Sequence, residues 1–78
     1  MGVSSYVLIQ TEMDKARQVA EAIRDIDGVV VSEIMTGPYD VIAKAEAESM
    51  DQLGRLVVSQ IQMVDGITRT LTCPVVNL

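Results

Sequence analysis

The chain has 78 residues, 49% of them hydrophobic, with 2 Tyr, 1 Cys and no Phe or Trp, and reads as one small domain, 1–78, around an aliphatic core, because two cores would leave each half too small to fold alone. Its 6 Lys and Arg against 11 Asp and Glu give a net charge of -5, the wrong sign for gripping a phosphate backbone, so direct nucleic-acid binding is not expected. The absence of His and the lone Cys exclude a His-based catalytic triad, a Cys/His zinc site and an intrachain disulfide; no apolar run reaches the length of a signal segment or membrane span, and a reducing, cytoplasmic setting is expected.

Residues 4–10 alternate as a strand does, with Tyr6 and Leu8 on one side and Val7 and Ile9 on the other. Thr11 followed by Asp14 has the spacing of a capping box and predicts a helix start. Ala16, Val19, Ala20, Ile23 and Ile26 then recur on one helical face, with Lys15, Arg17, Gln18, Glu21 and Arg24 opposite, up to a stop at Asp27-Gly28. A β-branched run at 29–31 opens a second strand, in which Val29, Val31 and Met35 are expected to oppose Val30 and Ile34. Gly37-Pro38 is turn chemistry, and 40–46 reads as a third strand. Ser49 with Gln52 marks a second cap, Leu53, Leu56, Val57, Ile61 and Val64 form a second stripe, and Asp65-Gly66 is a second stop before a last strand from Ile67.

These elements repeat. A shift of 38 residues lays Thr11 on Ser49, Val19 on Val57, Ile23 on Ile61, and Asp27-Gly28-Val29 on Asp65-Gly66-Ile67. The order is therefore β-α-β twice. Two copies are too few for a solenoid, so the halves should close on each other as an α+β, ferredoxin-like βαββαβ sandwich, a four-stranded antiparallel sheet with both helices on one face. The strands carry apolar residues on both faces, which predicts a homodimer formed through the sheets, a dimeric α+β barrel. A tail folded back through Val75, Val76 and Leu78 is the alternative cover.

Two places could meet a ligand. At the turn, Gly37 lets backbone approach closely and Asp40 can pair with an ammonium, although a plain connection with Tyr39 on the core edge has the same residues. In the last strand Thr68, Thr70 and Thr72 alternate with Ile67, Arg69 and Leu71, either as a solvated face or as hydroxyls lining a pocket between subunits. Cys73 has no histidine base, and Asp25, Asp27, Asp65, Glu46 and Glu48 have no cage spacing, so no catalytic residue, metal or cofactor is expected.

Gly37-Pro38-Tyr39-Asp40, the strand after it, and Asp65-Gly66-Ile67-Thr68-Arg69-Thr70 together resemble the effector-binding domain of the Lrp/AsnC family of feast/famine transcription regulators, over 4–76. The resemblance implies the same sandwich and an amino-acid sensor whose dimers assemble into a ring, an octamer or decamer, with free amino acids bound between dimers. It implies that Gly37, Tyr39 and Asp40 hold the α-carboxylate and ammonium, helped by Thr68 and Thr70. Members carry an N-terminal helix-turn-helix, whereas this chain starts just before its first strand, so a stand-alone effector module is expected, acting alone, with a full-length relative, or on an enzyme. A ligand-free oligomerisation adaptor is the main rival. A small dimeric α+β barrel enzyme would have only Tyr6, Tyr39, Asp40 and Cys73 to work with.

Overall fold

The computed structural model describes residues 2–77. Strand β1 (Val3–Thr11) leads through helix α1 (Ala16–Arg24) to β2 (Val29–Ile34), and β3 (Val41–Ala47) leads through helix α2 (Met50–Leu56), prolonged by a π-helical turn (Val57–Ile61), to β4 (Ile67–Pro74). The strands form one antiparallel sheet in the order β2-β3-β1-β4, the expected βαββαβ sandwich.

The register of the two central strands explains the core. Val7 faces Ala43 and Ile9 faces Val41, and these side chains, with Ala45, are fully buried against Val19, Ala20 and Ile23 of α1 and Leu53, Leu56, Val57 and Ile61 from the second helix. Both predicted stripes therefore meet the same sheet face. Small Ala43 and Ala45 sit beneath the helices, where a larger residue would hold them off. The buried hydroxyls are satisfied: Ser5 Oγ donates to the Tyr6 carbonyl (3.1 Å), and Ser32 Oγ donates to the Ala20 carbonyl (2.7 Å), tying β2 to α1.

Each half closes on the other through a glycine. Gly28 and Gly66 have φ of 97° and 100°, a region that suits glycine. A Cβ on Gly28 would lie 2.9 Å from Leu56 Cδ2 and 3.1 Å from the Glu46 carbonyl oxygen; one on Gly66 would lie 3.1 Å from Val19 Cγ2 and 3.2 Å from Lys15 Cβ. The turn after one helix thus abuts the other helix in both directions.

Four local expectations are corrected. Thr11 does not cap α1: it ends β1, Lys15 is the N-cap without a side-chain bond, and Asp14 turns the chain at φ 64°. The reason is that Thr11 is still held in the sheet, paired with Ile67 and with its N–H on Asp40 Oδ2, so the helix opens only after it, at Lys15. The second cap does form, Ser49 Oγ accepting from the Gln52 N–H and Gln52 Oε1 from the Glu48 N–H, each at 3.2 Å. Neither helix runs regularly to its Asp-Gly: α1 ends at Arg24, and the second helix widens into the π turn, closed by Gln62 N–H donating to the Val57 carbonyl at 2.9 Å. In β2, Val29 pairs with Ala45 but Val31 with Lys44, so Val30 is an extra residue that reverses the alternation and puts Val29 and Val31 on opposite faces.

The second sheet face carries Tyr6, Leu8, Val31, Ile42, Leu71 and Cys73, interrupted by Glu33 opposite Ile42 and by Lys44, whose ammonium lies 5.5 Å above the Tyr6 ring. Among the described residues the tail does not fold over it. Val75 N–H donates to the Ser4 carbonyl (2.9 Å), continuing the β4 ladder, and Val76 is exposed; Leu78 lies outside the described residues.

Gly28→Ala and Gly66→Ala should each lower unfolding free energy by about 1–3 kcal/mol, because a methyl group strains the left-handed backbone and crowds the opposite helix. Urea melts at fixed protein concentration should show lower midpoints with unchanged slope. Wild-type midpoints in both variants would mean that the glycines are not the hinge of the two halves.

Candidate functional site

Asp40 is placed by backbone. Its N–H donates to the Ile9 carbonyl and its carbonyl accepts from the Met35 N–H, both at 2.8 Å, which closes the connection between β2 and β3 and fastens it to β1. β1 continues past its last pair with β3, Ile9 opposite Val41, and there the Asp40 side chain supplies the next acceptor: Oδ2 takes the Thr11 N–H at 2.8 Å and the Thr11 hydroxyl at 3.4 Å. A carboxylate thus stands in for a missing rung of the ladder. Both bonds fall on Oδ2, which leaves Oδ1 for another donor.

Gly37 has φ of 131°, and nothing lies within 4 Å of where its Cβ would be, so backbone is openly presented there. Pro38 is tied back, its carbonyl accepting from Gln10 Nε2 at 2.9 Å. Tyr39 and Asp40 are half-buried. Gln10 and Thr11 are therefore members of the site that the residue pattern did not reveal. Thr11 looked like a helix cap, and no local spacing signals a partner 29 residues away.

The threonines lie across β1 from this turn. Ile9 pairs with Val41 on one side and Thr70 on the other, so both groups occupy the same end of the sheet, with β3 and β4 about 10 Å apart at the usual strand spacing. Thr70 and Thr72 share the helix-side register of Ile9 and Val7, not the open face. Gln10 pairs with Arg69 and Thr11 with Ile67, so Thr68 is the extra residue of a bulge, and the three hydroxyls do not form one uninterrupted stripe. Thr70 Oγ1 accepts from Gln62 Nε2 at 3.1 Å, which leaves its own hydrogen to donate. Thr68, Arg69, Thr70, Ile67 and Gln62 line a shallow depression of about 280 Å³ that includes none of Gly37, Tyr39 or Asp40. Within one chain, then, the turn residues come together and the threonines come together, but the two sets do not share a pocket.

A larger concavity of about 630 Å³ lies at the other end of β3, bounded by Gly28, Glu46, Glu48, Gln52, Arg55 and Leu56. It is a wide groove along exposed charges, without the convergent hydrogen-bonding groups of the turn. Among the described residues no three His, Cys, Asp or Glu side chains converge as a metal cage.

A family profile described as the Lrp/AsnC ligand binding domain matches residues 4–77. An uncharacterised HTH-type transcriptional regulator of Pyrococcus abyssi is 32% identical over 75 residues, 92% of this chain and 50% of that protein. A similar regulator of Pyrococcus horikoshii is 29% identical over 75 residues with the same coverage, so the chain spans about half the length of these curated relatives. The crystal structure of TTHA0845 from Thermus thermophilus superposes with a TM-score of 0.90 at 26% identity, covering 97% of this chain and 95% of that one. The fold is also that of E. coli AsnC (TM-score 0.88, 23% identity, 97% and 52% coverage) and of the Neisseria meningitidis transcriptional regulator NMB0573, solved as an L-Met complex (0.82, 17%, 96% and 50%).

Asp40→Ala should cost about 1–3 kcal/mol, because it orphans the half-buried Thr11 N–H. Asp40→Asn keeps a carbonyl acceptor without its charge and should cost about half as much. Chemical denaturation separates them; equal loss in the two variants would show that the acceptor does not stabilise the strand end.

Proposed function

Because the chain belongs to the Lrp/AsnC ligand-binding domain family, we propose that 1–78 is an amino-acid-binding regulatory module. The observation that carries this reading is the turn at 37–40, where open Gly37 backbone and a half-buried carboxylate with one uncommitted oxygen adjoin. An α-amino acid has the matching pair of charges: backbone N–H groups beside Gly37 suit its carboxylate, and Asp40 suits its ammonium. Tyr39 borders this turn, and Thr68 and Thr70 add hydroxyls from a neighbouring copy, which brings together the two sets that one chain keeps apart. The L-Met in the Neisseria regulator belongs to that protein, whose likeness is one of fold, and it supports this ligand class.

On this reading two copies pair through the apolar sheet face, where Tyr6, Leu71 and Val31 are 40%, 45% and 36% exposed. At roughly 25 cal/mol per Å² of apolar area, covering both faces contributes several kcal/mol. Dimers assemble into a ring, octamer or decamer, and a ligand seated between dimers shifts that assembly by its preference for it. The effect on transcription passes through a full-length relative rather than through nucleic-acid contact by this acidic chain. A cytoplasmic location accords with the curated relatives being transcriptional regulators. Among the described residues no helix is long and apolar enough to cross a membrane.

One observation favours the ligand-free adaptor: Asp40 already has a structural partner in Thr11. The enzyme reading has less support, because Tyr6 and Cys73 are neighbours on the open sheet face while Tyr39 and Asp40 lie at the turn, so its four residues do not converge.

A thermal-shift panel of the natural L-amino acids, paired with light scattering, separates these readings. At least one amino acid should raise the melting temperature, with about 2.7 kcal/mol of stabilisation at a hundredfold excess over Kd. Silence across the panel with an intact oligomer would leave the adaptor. Leu8→Glu, which places a charge on the open face, should convert the dimer to monomer in scattering at micromolar concentration; a wild-type chain already monomeric there would end the sheet-to-sheet dimer.

A further inference from the structure

The last two residues of β1 grip the turn from two sides. Successive side chains of a strand point to opposite faces, yet both Gln10 and Thr11 reach residues 38–40: Gln10 Nε2 holds the Pro38 carbonyl at 2.9 Å, and Thr11 holds Asp40 Oδ2 through its N–H at 2.8 Å and its hydroxyl at 3.4 Å. The strand end supplying these groups is itself anchored, because β1 is paired on both sides, to β3 through Ile9 and to β4 through Ile67 opposite Thr11. A lone carboxylate turns easily about its last torsion. The Thr11 N–H at 2.8 Å restrains it, and the hydroxyl at 3.4 Å adds a longer, weaker contact on the same oxygen.

Resting on the amino-acid reading above, we infer that Thr11 is a positioning residue of the ligand site: it holds the Asp40 carboxylate so that Oδ1 faces the incoming ammonium. It acts through Asp40 and makes no contact with the ligand of its own. Setting the carboxylate before the ligand arrives removes an ordering cost from binding, so the contribution of Thr11 belongs to recognition of the ammonium and not of the carboxylate. Gln10, by holding Pro38, does the same for the Gly37 backbone that the carboxylate meets. The backbone N–H of Thr11 survives any substitution except proline, so its hydroxyl is the part that a variant can remove cleanly.

The test uses the full chain and isothermal titration with two probes: the L-amino acid that raises its melting temperature most, and the matching carboxylic acid that lacks the ammonium. Thr11→Val keeps size, branching and N–H but loses the hydroxyl. It should bind the amino acid about three- to tenfold more weakly while its affinity for the carboxylic acid is unchanged, and Thr11→Ser should restore the wild-type ratio. A purely structural role would lower the denaturation midpoint and leave the ratio of the two affinities alone. If wild type binds an amino acid and Thr11→Val preserves that ratio, the positioning role is overturned and the ligand reading stands. If wild type binds no amino acid, the ligand reading falls and takes this one with it.

Discussion

β1 and β3 run side by side through the middle of the sheet, and their register decides what the rest of the chain meets. With Val7 opposite Ala43 and Ile9 opposite Val41, one face of both strands becomes a continuous apolar floor on which the two helical stripes close. The same register carries the other face, with Tyr6 beside Lys44 and Leu8 beside Ile42, out into the open. A slip of one residue would exchange these sets and bury Lys44 under the helices, which the cost of an unpaired buried charge forbids. Pairing and burial therefore enforce each other.

That register also builds the turn. Once Ile9 is opposite Val41, Asp40 must arrive beside the end of β1, where a strand N–H lacks an acceptor. The carboxylate satisfies it with one oxygen and keeps the second. A group that finishes a sheet and a group that could hold an ammonium are thus one side chain, and the fold maintains the geometry whether or not a ligand is present. Across β1, the β4 bulge at Thr68 and the bond from Gln62 to Thr70 set a second group of hydroxyls at the same end of the sheet. The π turn lies just before Gln62, so the irregular part of the second helix sits where a side chain must reach the edge strand.

Much of the architecture was legible because it is local or periodic. The two helical stripes and the Ser49 cap depend on neighbours within a few positions, the repeat of 38 residues is one local pattern met twice, and each appears in the fold. The first cap fails on the same grounds. Thr11 and Asp14 have the spacing of a box, but β1 runs through Thr11, which pairs with Ile67 and gives its N–H to a carboxylate 29 residues away, so it stays in the sheet and the helix opens at Lys15. The β2 alternation fails at Val30 because a bulge adds a residue without any mark in composition. For the turn, Gly37, Tyr39 and Asp40 are contiguous and could be singled out together, while Gln10 and Thr11 could not.

By itself the sequence determined the element order, the two-sided apolar sheet, the acidic surface without histidine and the family likeness, since all of these are sums or periods over nearby residues. Only the tertiary structure decided that Val75 and Val76 leave the second sheet face open, that Thr70 faces the helices, and that Thr11 holds Asp40. Each of these depends on which hydrogen-bonding groups register brings opposite one another. That competition between distant segments is settled when the strands pair.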